Sequence, residues 1–192
     1  MESATLERDE KTDGHLTGYR SKAYRTYVLV ALTLVYTLNF IDRNLIGILA
    51  EPIIVSFSLS DTQFGILAGW PFAIFYAALG LPIAMAADRY NRVKIISICI
   101  ILWSIMTALC GLALGFLTLV LFRIGVAVGE AGCTPPANSI IGDYYPAKHR
   151  ATALGIYSMG VTLGAVMAYL LSLIHISEPT RRTIPSRMPS SA

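Results

Sequence analysis

Five long apolar stretches, separated by short gaps that hold most of the charged residues, constrain this chain more than any other feature. Each stretch has about 20 mostly apolar residues, which is the length that a helix needs to cross the hydrocarbon core of a bilayer. Their continuity favours helices, because the strands of a membrane barrel alternate polar and apolar positions. The sequence therefore predicts an all-α membrane protein with spans at residues 27–50, 64–86, 95–114, 117–141 and 153–171.

The composition excludes an ordinary soluble domain, because 55% of the residues are apolar and only 14% are charged. Soluble domains have roughly 25% charged residues. The net charge of +3 is too small and too dispersed to indicate nucleic-acid binding. Cys99, Cys110 and Cys133 lie inside apolar stretches without a CxxC or His/Cys cluster, so we expect no disulfide framework, no metal and no cofactor.

Lysine and arginine are confined to alternate sides of the predicted spans. They occur before the first span and in the gaps after the second and fourth, but neither between residues 51 and 63 nor near residue 115. By the positive-inside rule, the N-terminus is cytoplasmic in a multi-pass protein of the cell inner membrane. The mixed charges of residues 1–23 predict a disordered cytoplasmic tail.

Four ionisable residues fall within the spans: Asp42 and Arg43 in the first, and Arg123 and Glu130 in the fourth. A charge near the centre of a membrane helix costs about 2.5–3.5 kcal/mol, which makes each a candidate for function. The rise of 1.5 Å per residue puts the two sets at overlapping depths. Two roles are open for these residues. Either they form ion pairs that only hold the two helices together, or a carboxylate takes up and releases a proton while an arginine binds an anionic group of a substrate.

Glycines and prolines mark further features of the spans. Three glycine pairs at four-residue spacing, at 65/69, 125/129 and 160/164, favour close helix packing. Pro71 and Pro82 in the second span, and Pro135 with Pro136 in the fourth, interrupt the backbone hydrogen bonds and predict kinks.

The loop after the second span carries a recognisable motif, AMAADRYNRVK at residues 84–94. It resembles the G-x-x-x-D-R-x-G-R-K signature of the major facilitator superfamily, with Ala84 and Asn91 in place of the two glycines. This loop is similar to that of the spinster-like branch of the superfamily. Three further segments share that similarity, at residues 39–43, 123–131 and 143–150.

The resemblance implies a fold of twelve helices in two six-helix halves, which rock about a site at the membrane midplane. Residues 24–170 then form the first five helices of the N-terminal half, and the missing C-terminal half of the same transporter is an expected partner. The resemblance also implies a conformational latch on the cytoplasmic side, made by Asp88, Arg89, Arg92 and Asp143. For Arg92 the alternative is that its charge only fixes the orientation of the chain.

The segment 171–192 differs from the rest, with three arginines and three prolines after a span that is expected to emerge outside. Residues 171–181 resemble a translated sequencing-library adapter, so we expect this segment to be foreign and the natural chain to break off in its fifth helix. The alternative is a natural periplasmic tail.

Together these features predict a proton-coupled secondary transporter of a small organic anion or amphipathic solute, which works by alternating access. Its expected partners are the solute, protons and the lipid bilayer. One alternative is a non-transporting polytopic sensor or assembly subunit. The other is an intramembrane enzyme, for which the sequence offers no HExxH or GxSxG motif.

Overall fold

A computed structural model describes residues 21–176 of the chain, and these residues form helices joined by short connections, without a strand. The predicted tail at residues 1–23 lies almost wholly outside the described residues, as does the predicted foreign segment beyond residue 176. The helices are α1 (Lys22–Ile48), α2 (Ala50–Phe57), α3 (Asp61–Ala68), α4 (Trp70–Arg89), α5 (Arg92–Cys110), α6 (Phe116–Ala131), α7 (Thr134–Tyr144) and α8 (Ala147–Ile176).

The described helices contain five segments that are long and apolar enough to cross a membrane, which confirms the five predicted spans. The first is α1, the second α3 with α4, the third α5, the fourth α6 with α7, and the fifth lies in α8. Most of their ends lie beyond the predicted ones, because the helices continue into the polar connections, whereas the first and third spans end earlier, at Ile48 and Cys110. The third span, for example, begins at Arg92, where the Asn91 side chain accepts a hydrogen bond from the backbone N–H of Lys94.

The segment 51–63, predicted as a loop, contains the short helix α2 and the start of α3. Helix α2 forms because its apolar side chains, including Ile53 and Phe57, pack against buried Leu67 and Leu119 of neighbouring spans. It ends at Ser58, whose left-handed backbone (φ 50°) turns the chain. The prediction missed this helix because its eight residues are stabilised by tertiary packing rather than by their own length.

Two spans are interrupted, and prolines follow both interruptions. The second span breaks at Gly69, directly before Trp70 and Pro71. The fourth breaks at Gly132 and Cys133, and Pro135 and Pro136 occupy the first turn of α7. Proline is tolerated in a first turn because its missing N–H has no partner there. Pro82, by contrast, lies inside α4, which continues through it without a break.

Glycines allow two of the helix contacts that build the bundle. A Cβ at Gly164 of α8 would lie 2.6 Å from the backbone oxygen of Thr37, so α8 packs directly on the backbone of α1. A Cβ at Gly129 of α6 would lie 2.7 Å from Cβ of Trp103 in α5. The predicted packing role is thus confirmed for these two glycine pairs. At Gly65 nothing described lies within 4 Å, and a Cβ at Gly69 would meet only the backbone oxygen of Gly65, so this pair brings no other described helix close.

The fourth span lies at the centre of the bundle. Half of its most apolar segment is buried, compared with at most 22% for any other span. Val126, Ala127 and Glu130 of α6 are completely buried. Any charge on the inward faces of this span must therefore find its partner within the protein.

Candidate functional site between the first and fourth spans

The four ionisable residues of the spans meet in two ion pairs, and each pair joins α1 to α6. Arg43 Nε lies 2.7 Å from Glu130 Oε2. Arg123 Nη1 lies 3.3 Å from Asp42 Oδ2. The two arginines thus come from different helices, and so do the two carboxylates.

Burial differs sharply among these side chains. Glu130 is 0% exposed and Arg123 is nearly buried, whereas a quarter (25%) of the Arg43 side chain is exposed. Removing a charge from water costs several kcal/mol unless a partner compensates, which explains why these groups are paired. Glu130 Oε1 and Arg123 Nε are nevertheless buried without a hydrogen-bond partner among the described residues. Each pair therefore contains one buried polar atom without a hydrogen-bond partner in this part of the chain, a carboxylate oxygen in one pair and a guanidinium N–H in the other.

Trp103 of α5 adds a second contact to Asp42. Its indole Nε1–H donates a hydrogen bond of 3.2 Å to Asp42 Oδ2. Arg123 contacts the same oxygen. The sequence analysis missed Trp103. The signal that could have found it is a lone tryptophan within an apolar span, because a buried indole N–H needs an acceptor.

Aromatic rings surround the two guanidinium groups. Arg43 Cζ lies 4.3 Å from the ring centroid of Tyr76, 5.3 Å from that of Phe40 and 5.5 Å from that of Phe72. Arg123 Cζ lies 4.8 Å from the centroid of Phe72. These distances are within the range of cation–π attraction. The sequence analysis missed these rings as well, although Phe72 and Tyr76 are four residues apart and therefore share a helix face.

Two of the cavities that border the ion pairs reach different arginines. One, of about 290 Å³, is mostly apolar and reaches Asp42 and Arg123 between α1, α5 and α6. The other, of about 520 Å³, is more open and is lined by Arg43, Asn44 and Tyr169. The exposed quarter of Arg43 is thus accessible to a solute, whereas Glu130 behind it is not.

The four residues of the predicted latch are only partly brought together. Arg92 Nη1 and Asp143 Oδ2 form an ion pair that joins the start of α5 to α7. Asp88 and Arg89 lie exposed near the end of α4, and their side chains make no ion pair or hydrogen bond within residues 21–176. Their role in a latch stays a prediction. In the same part of the chain, no group of three or more His, Cys, Asp or Glu residues could hold a metal ion.

Comparison with known families gives a match over most of the chain. A sequence model of the Major Facilitator Superfamily matches residues 32–179. The chain belongs to the major facilitator superfamily. Its first five spans therefore have the fold of that family, as the loop motif at residues 84–94 indicated.

Solved structures place the chain near one branch of the superfamily. It is 69% identical to a bacterial homolog of the human lysosomal transporter Spinster in an inward-facing, occupied conformation. The TM-score is 0.77, and the match covers 80% of this chain and 33% of that one. The inward-facing, unoccupied conformation matches with the same TM-score and identity. The resemblance to the spinster-like branch is thus confirmed.

Curated relatives are also transporters. An MFS-type efflux pump of Mycolicibacterium smegmatis is 38% identical over 139 residues, which cover 72% of this chain and 32% of the relative. The hexuronate transporter of Bacillus subtilis is 29% identical over 141 residues, which cover 73% and 33%. The chain therefore spans about a third of the length of the curated relatives it matches. These relatives are transporters of a non-enzymatic family, which argues against the intramembrane enzyme.

Proposed function

We propose that this chain is part of a proton-coupled secondary transporter of a bacterial inner membrane, which moves a small organic anion or amphipathic solute by alternating access. The observation that carries the proposal is the Arg43–Glu130 pair. It combines a fully buried carboxylate, one oxygen of which has no hydrogen-bond partner among residues 21–176, with an arginine that borders an open cavity. In such a pair, protonation of the buried Glu130 changes whether the charge of Arg43, which a solute can contact, is neutralised.

Proton binding is coupled to solute binding because Arg43 can pair either with ionised Glu130 or with an anionic group of the solute. While Glu130 is ionised, it neutralises the guanidinium group of Arg43. When a proton binds the free oxygen of Glu130, the carboxyl group becomes neutral and Arg43 loses its ionic partner. An anionic group of the solute then takes that place. Release of the solute leaves Arg43 uncompensated, which favours loss of the proton from Glu130.

The second pair supports the same substrate class. Arg123 is nearly buried, its Nε has no hydrogen-bond partner in the described part of the chain, and its ion pair with Asp42 is made through Nη1. An arginine remains charged at every physiological pH and binds planar oxyanions through two donors. Two arginines beside the same ring, Phe72, therefore favour a carboxylate or a phosphate over a neutral solute. Hexuronate, L-galactonate and D-galactonate are the solutes named for three of the relatives.

We also propose that Arg92 and Asp143 act as part of a latch on the cytoplasmic side, together with Asp88 and Arg89. The ion pair between Arg92 and Asp143 supports this, because it joins the third span to the fourth outside the apolar region. Such an exposed pair contributes at most about 1 kcal/mol to stability, so its effect would fall mainly on the balance between conformations.

Uptake by the complete transporter in proteoliposomes tests the proposal. An inward proton gradient is imposed and accumulation of radiolabelled D-glucuronate and D-galactonate is measured for wild type, Asp42→Asn and Glu130→Gln. We expect both variants to lose gradient-driven accumulation, while Glu130→Gln still exchanges external for internal solute. The matched control is Glu51→Gln, because Glu51 is an exposed carboxylate at the start of α2. Undiminished driven accumulation in both site variants would contradict the proton role.

A further inference from the structure

One aromatic ring of the second span touches both arginines of the site. The ring centroid of Phe72 lies 4.8 Å from Arg123 Cζ and 5.5 Å from Arg43 Cζ. These arginines belong to different ion pairs and to different helices. Phe72 therefore contacts both ion pairs, although the two pairs share no residue.

The position of this ring is fixed by the start of α4. Helix α4 begins directly after the break at Gly69, and Phe72 lies in its first turn beside Pro71. Four residues later, the ring of Tyr76 stacks below Phe72 with centroids 6.0 Å apart and an interplanar angle of 15°. Tyr76 contacts Arg43 but, unlike Phe72, has no described contact with Arg123. The two rings thus form a short ladder along one face of α4.

Attraction between a cation and a ring does not depend on the charge of a neighbouring carboxylate. A guanidinium group that loses its carboxylate to protonation keeps its own charge, and it would otherwise turn towards water. A ring against its face opposes that movement. The ladder can therefore hold both arginines in place at the stage of the cycle when their ionic partners are neutral.

We propose that Phe72 is a positioning residue that keeps Arg43 and Arg123 directed into the site while Glu130 or Asp42 is neutral. This inference rests on the proposed function of the two ion pairs. The inference also gives the second span a role. A shift of α4 at the break at Gly69 would move the Phe72 ring relative to both arginines at once.

The reactivity of each arginine towards phenylglyoxal, which modifies accessible guanidinium groups, tests the inference without a transport assay. The complete transporter is labelled in detergent, and adducts at Arg43 and Arg123 are quantified by peptide mass spectrometry. Glu130→Gln mimics the protonated, neutral form of Glu130, the partner of Arg43. Asp42→Asn likewise mimics the neutral form of Asp42, the partner of Arg123. Phe72→Leu is then added to each background. We expect labelling of Arg43 in the first background, and of Arg123 in the second, to rise several-fold, because each arginine loses the one cation–π contact that Phe72 makes with it.

Three further variants make the result specific to the ring. Phe72→Tyr retains an aromatic face and should restore slow labelling of both arginines. Tyr76→Leu should raise labelling of Arg43 alone. Phe75→Leu on the same helix, whose ring is exposed and has no described contact with an arginine, should change neither. Unchanged labelling in Phe72→Leu, equally fast labelling in Phe72→Tyr, or an increase in Phe75→Leu would each overturn the inference. Failure of the proton role would appear instead as driven uptake that survives Glu130→Gln.

Discussion

Each arginine of the site has two kinds of neighbour, a carboxylate and an aromatic ring. The carboxylates could be proposed from the sequence, because charges in apolar spans are conspicuous. Ion pairs between the two spans could be proposed as well, but not which arginine each carboxylate contacts. Consecutive residues of a helix point about 100° apart, so Asp42 and Arg43 face different partners, and only the packed structure shows that these are Arg123 and Glu130 respectively.

The shape of the Arg43 side chain provides a prediction at this scale. Arg43→Lys keeps the charge but removes the planar group that lies over Tyr76 and the Nε–H that binds Glu130. We expect the KM for solute exchange to rise by about tenfold, which corresponds to about 1.4 kcal/mol. Exchange assays in proteoliposomes measure this change. Arg25→Lys, close to the start of α1 and outside the site, is the control, and an equal change in both variants would contradict a special role for Arg43.

At the scale of elements, the fourth span is divided between two sets of partners. Its outer part, α6, pairs with α1 through Arg123 and Glu130, whereas α7 pairs with α5 through Asp143. The break at Gly132 and Cys133 lies between them. The sequence predicted an interruption here from Pro135 and Pro136, but the short helix α2 was not predicted, because only its contacts with other spans stabilise it.

Close packing of α5 against α6 leads to a stability prediction. In Gly129→Ala the new Cβ would lie 2.7 Å from Cβ and 2.8 Å from the backbone nitrogen of Trp103, so the helices must separate. We expect a loss of about 1–3 kcal/mol, as is usual for overpacking. Thermal unfolding in detergent measures it. Gly65→Ala should leave the midpoint unchanged or slightly higher, because no described atom lies within 4 Å of the added group. Equal midpoints for the two variants would show that the contact is not tight.

The ion pair of the proposed latch leads to a second prediction for these elements. Asp143→Asn removes the partner of Arg92, and the exchanged variant Arg92→Asp with Asp143→Arg restores an ion pair of reversed polarity. We expect the single variant to lower the transport rate several-fold with little change in unfolding temperature, and the exchanged variant to recover part of the rate. Rates that are equally low in both would indicate that the identities of the residues, rather than their attraction, are needed.

For the molecule as a whole, the number of helical spans and their direction could be predicted from the sequence because of the constraints that the bilayer imposes. Lipid offers no partner for free backbone groups, so long apolar segments must be helices, and the distribution of Lys and Arg predicts their direction. Composition could not show how the other four spans pack around the fourth, since that arrangement depends on glycine contacts and on the ion pairs. The foreign origin of residues 171–192 stays a prediction. Helix α8 continues past residue 171 as far as Ile176.

Proton movement driven by the solute itself tests the central claim most directly. Proteoliposomes that contain the complete transporter and the pH-sensitive dye pyranine are diluted into D-glucuronate or D-galactonate, without an imposed pH gradient. We predict that wild-type protein changes the internal pH when solute is added, and that Glu130→Gln exchanges solute without such a change. A pH change of equal size in Glu130→Gln would contradict coupling through the Arg43–Glu130 pair.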